Sequence, residues 1–296
     1  ISNVSASNTA GLHDSVFARY SLRLLGNGGS GTHQAVINNF DATMYDYGAK
    51  ITAVDAYSLT NVNIGDHPMA ILPGTSTTTG PVGDAASIDV LTAGSMEIAR
   101  TLPTMSNVDL GTGDLTISGN SPSSAQTTIS DLDAGGISVA GCAYNLYFIN
   151  ADISDTSDTG YLSASCSSSA AQNTILFESG TMASSTSSNN IIYARNSMIT
   201  LGGVDITGQT AMGNYVAKAS TNGRITLIDV TFGGNACADA SGDTGDCWLD
   251  VSSSSGSIWL GGIGTATTFK EKAGTRTLKP GTTVTSFVMD NMGSSL

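Results

Sequence analysis

The nine residues Asn145-Leu-Tyr-Phe-Ile-Asn-Ala-Asp-Ile153 carry the pattern that decides the fold. Leu146 and Phe148 alternate with Asn145 and Tyr147. A two-residue break follows, and Ala151 and Ile153 resume the alternation. Period-2 alternation places the apolar side chains on one face of a strand. The break shifts the phase, as a bend between two short strands does.

The pattern recurs at Thr174-Ile-Leu-Phe-Glu-Ser-Gly-Thr-Met182, Met198-Ile-Thr-Leu-Gly-Gly-Val-Asp-Ile206, Arg224-Ile-Thr-Leu-Ile-Asp-Val-Thr-Phe232 and Ser257-Ile-Trp-Leu-Gly-Gly-Ile-Gly-Thr265. The first apolar positions (Leu146, Ile175, Ile199, Ile225, Ile258) recur at intervals of roughly 24–33 residues, within the range of solenoid repeats. Weaker earlier copies are read at Ile51–Val54 with Val62–Ile64, and at Val108–Leu110 with Leu115–Ile117. A further short strand precedes most copies: Ile137–Val139, Tyr161–Ala164, Ile191–Ala194, Tyr215–Ala217 and Trp248–Val251. Polar turns such as Thr221-Asn-Gly223 follow, built from residues that tolerate positive φ.

Three short strands per unit of about 25 residues describe one coil of a solenoid, which buries its apolar face only by stacking on its neighbours. An antiparallel sandwich or barrel also has many short strands, but its turns, every 8–12 residues or so, are hairpins. The length of the repeat, and Asn, Ser and Thr at similar corners, favour the solenoid. The pattern resembles the right-handed parallel β-helix repeat of pectate-lyase-like enzymes, phage tailspikes and microbial surface proteins. The resemblance is clearest over 137–265. It implies an all-β parallel β-helix over 32–267, with an N-terminal cap or assembly segment at 1–31 and a C-terminal cap at 268–296.

The composition fits an all-β reading. Ser, Thr, Asn and Gly are abundant and strong helix formers are scarce. Only 12% of the residues are charged, about half the roughly 25% of ordinary domains. The formal net charge of −13 opposes nucleic-acid binding, which needs a basic footprint. The one basic cluster, Lys270, Lys272, Arg276 and Lys279, reads as a solvated turn. No apolar run approaches the ~20 residues of a membrane-spanning helix. The chain begins with Ile1, so a missing leader says nothing of compartment.

Four cysteines suggest two bridges. Cys142 and Cys166 lie about one coil apart, which places them within disulfide reach on neighbouring coils. Cys237 and Cys247 bracket the polar loop 238–246, which a bridge would clip shut. Disulfides imply an oxidising compartment, hence an extracellular or cell-surface location.

Within that loop Asp239, Asp243 and Asp246, with Asp250 beyond it, have the oxygen density calcium prefers, although the spacing fits a calcium loop only loosely. Asp152, Asp155 and Asp158 form a similar weak cluster. His13, His33 and His67 stand outside any nucleophile or metal motif and read as ordinary surface residues. Arg195, Lys218 and Arg224 are weak candidates for a strip binding a polyanionic glycan. Arg195 and Arg224 lie a little over one repeat apart, near equivalent positions of the pattern. Asn3-Val-Ser5 is a single glycosylation sequon. No catalytic residue is assigned.

The expectation is a non-enzymatic extracellular structural or adhesive protein. It would self-associate head to tail into a filament or layer, or bind other surface proteins and glycans, with no cofactor unless calcium. The alternative is a polysaccharide lyase or hydrolase, or a glycan-binding module, on the same fold.

Overall fold

The computed structural model describes residues 2–5, 22–25, 34–41, 48–52, 56–72, 86–99, 102–121, 125–154, 162–183, 192–206, 217–228, 230–232, 246–251, 257–261, 268–271 and 287–289. In chain order the strands are β1 (Ser2–Ser5), β2 (Leu22–Leu25), β3 (Gln34–Asp41), β4 (Ala49–Thr52), β5 (Ala56–Asn63), β6 (Pro68–Leu72), β7 (Ala86–Thr92) and β8 (Ser95–Ala99). They continue as β9 (Thr104–Asp109), β10 (Asp114–Ser118), β11 (Gln126–Ala134), β12 (Gly136–Val139), β13 (Asn145–Ile153), β14 (Leu162–Ser165), β15 (Asn173–Met182), β16 (Ile192–Arg195), β17 (Ser197–Gly202) and β18 (Asp205–Ile206). The last are β19 (Ala217–Ser220), β20 (Arg224–Ile228), β21 (Thr231–Phe232), β22 (Asp246–Val251), β23 (Ser257–Gly261), β24 (Thr268–Glu271) and β25 (Phe287–Met289).

These strands form two sheets, and every strand pair is parallel. One sheet, here the bent sheet, runs β1-β3-β5-β7-β9-β11-β13-β15-β17-β20-β23, with β18 and β21 alongside its later strands. The other, the straight sheet, runs β2-β4-β6-β8-β10-β12-β14-β16-β19-β22-β24-β25. The chain alternates between the sheets and strand order follows chain order in both, so this is an all-β, β-helix-like solenoid. Both sheets extend beyond 32–267: β1 and β2 precede that span, and β24 and β25 follow it.

The bent sheet contains the phase break foreseen in 145–153. Its side chains point inward at Leu146 and Phe148, then at Ala151 and Ile153, because Asn150 between them is left-handed at φ 53°. The register stacks this corner on its counterparts. Asn39, Asn61, Val90, Asn107, Asp131, Asn150 and Ser179 all have φ of 52–61°, and Gly203 continues the column at 62°. Asn and Asp visit this region more cheaply than other side chains because they hydrogen-bond locally. Here the bonds run between coils: Asn61 Nδ2 donates to Asn39 Oδ1 at 2.7 Å, and Asn150 Nδ2 to Asp131 Oδ1 at 2.7 Å.

The core is one set of stacked columns. Ile37, Leu59, Ile88, Met105, Ile129, Phe148, Phe177, Leu201 and Leu227 line up through the bent sheet, all buried. Phe148 and Phe177 stack with ring centroids 4.9 Å apart. Over the same coils a straight-sheet column shrinks from Ile117 and Val139 to Ala164 and Ala194, which keeps core volume level where the rings are large. Among the described residues Tyr57 is the exception to a satisfied interior. Its hydroxyl is buried without a hydrogen-bond partner, and burial pushes its ionisation far above the usual phenol range.

The step from bent to straight sheet needs glycine. A Cβ on Gly94 would stand 2.0 Å from the Asp66 carbonyl oxygen, and one on Gly113 would stand 1.5 Å from that of Gly94. The opposite corner is stitched by buried polar groups. Asn173 accepts from Tyr144 N–H at 3.0 Å and donates to the Gly141 carbonyl at 2.8 Å. Asn196 donates to the Cys166 carbonyl at 2.8 Å and accepts from Asn222 at 3.1 Å. Such pairing offsets the desolvation that burial imposes.

Two expectations change in detail. The coil is uneven: along the Ile37 column the step from Leu59 to Ile88 is long and the step from Ile88 to Met105 is short, because more residues separate β6 from β7 than β8 from β9. The weak early copies join residues of different sheets: Ile51, Leu115 and Ile117 belong to the straight sheet, Val62 and Val108 to the bent one. Alternation is the same in both sheets and does not tell them apart. Of the strand expected at Tyr215–Ala217, Ala217 opens β19, and Tyr215 and Val216 lie outside the described residues.

Val90 is the odd member of the corner column, a β-branched residue at φ 58° and 42% exposed. Left-handed backbone costs such a residue about 1–2 kcal/mol. Val90→Asn is expected to raise stability by about 1 kcal/mol, read as a higher denaturant midpoint at unchanged slope.

Candidate functional site

Two outward surfaces concentrate polar chemistry, and both follow from register. On the bent sheet, the outward position two residues after the corner reads Asp41, Asn63, Thr92, Asp109, Asp133, Asp152, Thr181 and Asp205 from coil to coil. Asp109, Asp133 and Asp152 are direct register neighbours, about 4.8 Å apart along the stack. Partial desolvation, then the charges of Asp109 and Asp152, hold Asp133 above the usual carboxylate range. Asp89 is shifted the other way: Ser106 and Asn107 donate to its Oδ1 at 2.7 and 3.1 Å and favour the ionised form.

On the straight sheet, the central outward position reads Ala70, Glu97, Thr116, Ser138, Ser163, Tyr193 and Lys218. A shallow cleft of about 380 Å³ opens over β6, β8 and β10, lined by Pro68, Ala70, Ser95, Glu97, Asp114 and Thr116. Its titratable groups are two carboxylates. An anionic glycan is repelled there, whereas a cationic group is attracted.

Cys142 and Cys166 form a disulfide, Sγ–Sγ 1.99 Å, across neighbouring coils. Cys247 lies in β22 opposite Phe269, and Cys237 is outside the described residues. So are Asp239, Asp243, Asp155, Asp158, His13, His33, Lys272, Arg276 and Lys279. Asp246 opens β22, Asp250 pairs with Lys218 in register, and Lys270 lies in β24. Asn3 lies in β1. His67 precedes β6, and its carbonyl accepts from Gly94 N–H at 2.8 Å. Arg195 and Lys218 share the straight sheet, but Arg224 opens β20 in the bent sheet. The spacing of Arg195 and Arg224 suggests equivalent positions. The register instead sets Arg195 beside Ser220, and Arg224 beside Met198.

The Asp109–Asp133 contact and the Glu97–Asp114 cleft were missed because neither forms a local motif. Their signal is the coil-to-coil offset, which turn length varies. Among the described residues no group of three His, Cys, Asp or Glu could hold a metal ion. Among the same residues no helix is long and apolar enough to cross a membrane. Comparison with protein-family models, curated proteins and solved structures found no match.

The raised Asp133 ionisation fixes a sign. The fold prefers the protonated carboxyl, so the stability cost is absent below the ordinary aspartate value of about 3.9 and grows as pH rises above it. Asp133→Asn is expected to raise Tm by about 1–2 °C at pH 7 and to leave it unchanged near pH 3. Melting curves at the two pH values check this.

Proposed function

We propose that this chain is a non-enzymatic extracellular structural or adhesive protein, a right-handed parallel β-helix with coils averaging about 25 residues. The observation that carries the reading is the strand order. Both sheets run through their strands in chain order, so the described strands build one stack that ends on parallel strands. Open parallel edges are templates for further strands, and a head-to-tail contact that does not close yields a filament or layer. The disulfide fits an oxidising compartment. An outer surface of Ser, Thr and Asn with few charges fits a role in contact with surface proteins and neutral glycans.

Calcium belongs to this proposal through Asp239, Asp243 and Asp246, as a stabiliser of assembly. Electron microscopy of the purified chain at rising concentration, with and without calcium, tests it. Filaments or layers are the expected result. Monodisperse particles at every concentration and calcium level contradict assembly. Release of reducing or unsaturated ends from pectin or alginate contradicts the non-enzymatic reading.

A further inference from the structure

The Cys142–Cys166 bridge joins two successive corners where the straight sheet hands over to the bent one. It is closed off from solvent: Cys142 is 3% exposed and Cys166 0%. Cys166 continues the inward alternation of Leu162 and Ala164, which sets its sulfur on the core side of the backbone. The surroundings are crowded. Ser168 N–H donates to Cys166 Sγ at 3.2 Å, and the carbonyl oxygens of Ser168 and Ala171 lie 3.0 and 3.3 Å from the same sulfur. The Ser167 hydroxyl lies 3.9 Å from Cys142 Sγ. Disulfide exchange needs a thiolate to reach one of the two sulfurs. Carbonyl oxygens carry partial negative charge and oppose that approach.

Both half-cystines are also bonded to the neighbouring coils. Cys142 N–H donates to the Gly119 carbonyl and to Asn120 Oδ1, each at 3.2 Å, and the Cys142 carbonyl accepts from Ser121 N–H at 2.8 Å. Cys166 N–H donates to the Arg195 carbonyl at 3.0 Å, and the Cys166 carbonyl accepts from Asn196 Nδ2 at 2.8 Å. Asn196 in turn accepts from Asn222. The bridge is thus tied to one corner before it and to two after it. Two routes lead to the sulfurs. One lifts the largely exposed loop 167–171, which Ala143 N–H anchors by donating to the Ala171 carbonyl at 2.9 Å. The other separates the coils. Sulfurs on the core side, bonded to coils on both sides, favour the second.

We propose that this bridge is a redox latch sealed by stacking: thiols reach it only after the coils around it part. Exchange then follows its ordinary course. A thiolate bonds to one cysteine sulfur as the Sγ–Sγ bond breaks, and the other cysteine leaves as thiolate. A second thiolate displaces the first, which leaves two reduced cysteines and an oxidised reagent. With the bridge intact, parted coils stay tethered one coil apart and close again in register. Once it is reduced, the opening is no longer held, because the tether that limited the open ensemble is gone. The covalent state of the corner thereby records whether the stack has opened in a reducing medium.

Exchange kinetics on the full chain test it. Excess dithiothreitol is added at several urea concentrations below the unfolding midpoint, free thiols are alkylated, and labels on Cys142 and Cys166 are counted by peptide mass spectrometry. Without urea, reduction is expected to run at least ~100-fold slower than in the denatured chain and to accelerate exponentially as urea is added, as an opening reaction does. Asn196→Ala cuts the bonds to the following corners, leaves the loop intact and is expected to speed reduction in plain buffer about tenfold. Asn222→Ala removes the next bond of the same ladder, from a half-buried position, and replaces it if Asn196→Ala does not fold. Ser167→Gly loosens the loop and is expected to change the rate less than about twofold. The chain with Cys142→Ala and Cys166→Ala is expected to melt about 5–10 °C below the parent. A rate independent of urea, acceleration by Ser167→Gly as large as that by Asn196→Ala, or an unchanged Tm without the bridge overturns the proposal.

Discussion

Parallel hydrogen bonding between successive coils is the constraint on which the rest depends. Each strand pairs only with the strands one coil before and after, so a residue's neighbours are set by register rather than by sequence distance. Backbone groups leave no room to slip, because a one-residue shift would turn every inward side chain outward. The lengths of the connections between strands absorb the differences in coil length. This is why steps as unequal as Leu59 to Ile88 and Ile88 to Met105 coexist with an unbroken core column from Ile37 to Leu227.

Stacking like positions is favourable or costly according to the side chain. Phe148 on Phe177 and Asn61 on Asn39 gain from it. Asp133 between Asp109 and Asp152 does not: partial desolvation, and then the charges of its two neighbours, disfavour its ionised form. Corners are where the chain is least free in composition. Gly94 and Gly113 admit no Cβ, and buried Asn173 and Asn196 supply bonds that the turning backbone lacks.

Much of this was legible beforehand. Leu146, Phe148, Ala151 and Ile153 showed the strand, the bend and the inward face, and Cys142 with Cys166 showed which coils are adjacent. Alternation failed where two sheets share one period, as with Leu115 and Ile117. The surface was harder to read. Arg195 and Arg224 matched by spacing but not by register, whereas Glu97 and Lys218 are far apart in sequence and share one outward column. A polar column costs little to vary, so it leaves no hydrophobic rhythm from which its register could be counted.

The most direct measurement is oxidative cross-linking of paired cysteines on the bent sheet. Ser106 and Ser130 are register neighbours on β9 and β11, on adjacent coils and both half-buried. Ser106→Cys with Ser130→Cys is expected to form an intramolecular bridge without loss of Tm, mapped by mass spectrometry of unreduced peptides. Ser106→Cys with Thr128→Cys, two residues out of register, is expected to remain unbridged. Bridging of the offset pair in preference to the aligned one would contradict parallel, in-register stacking.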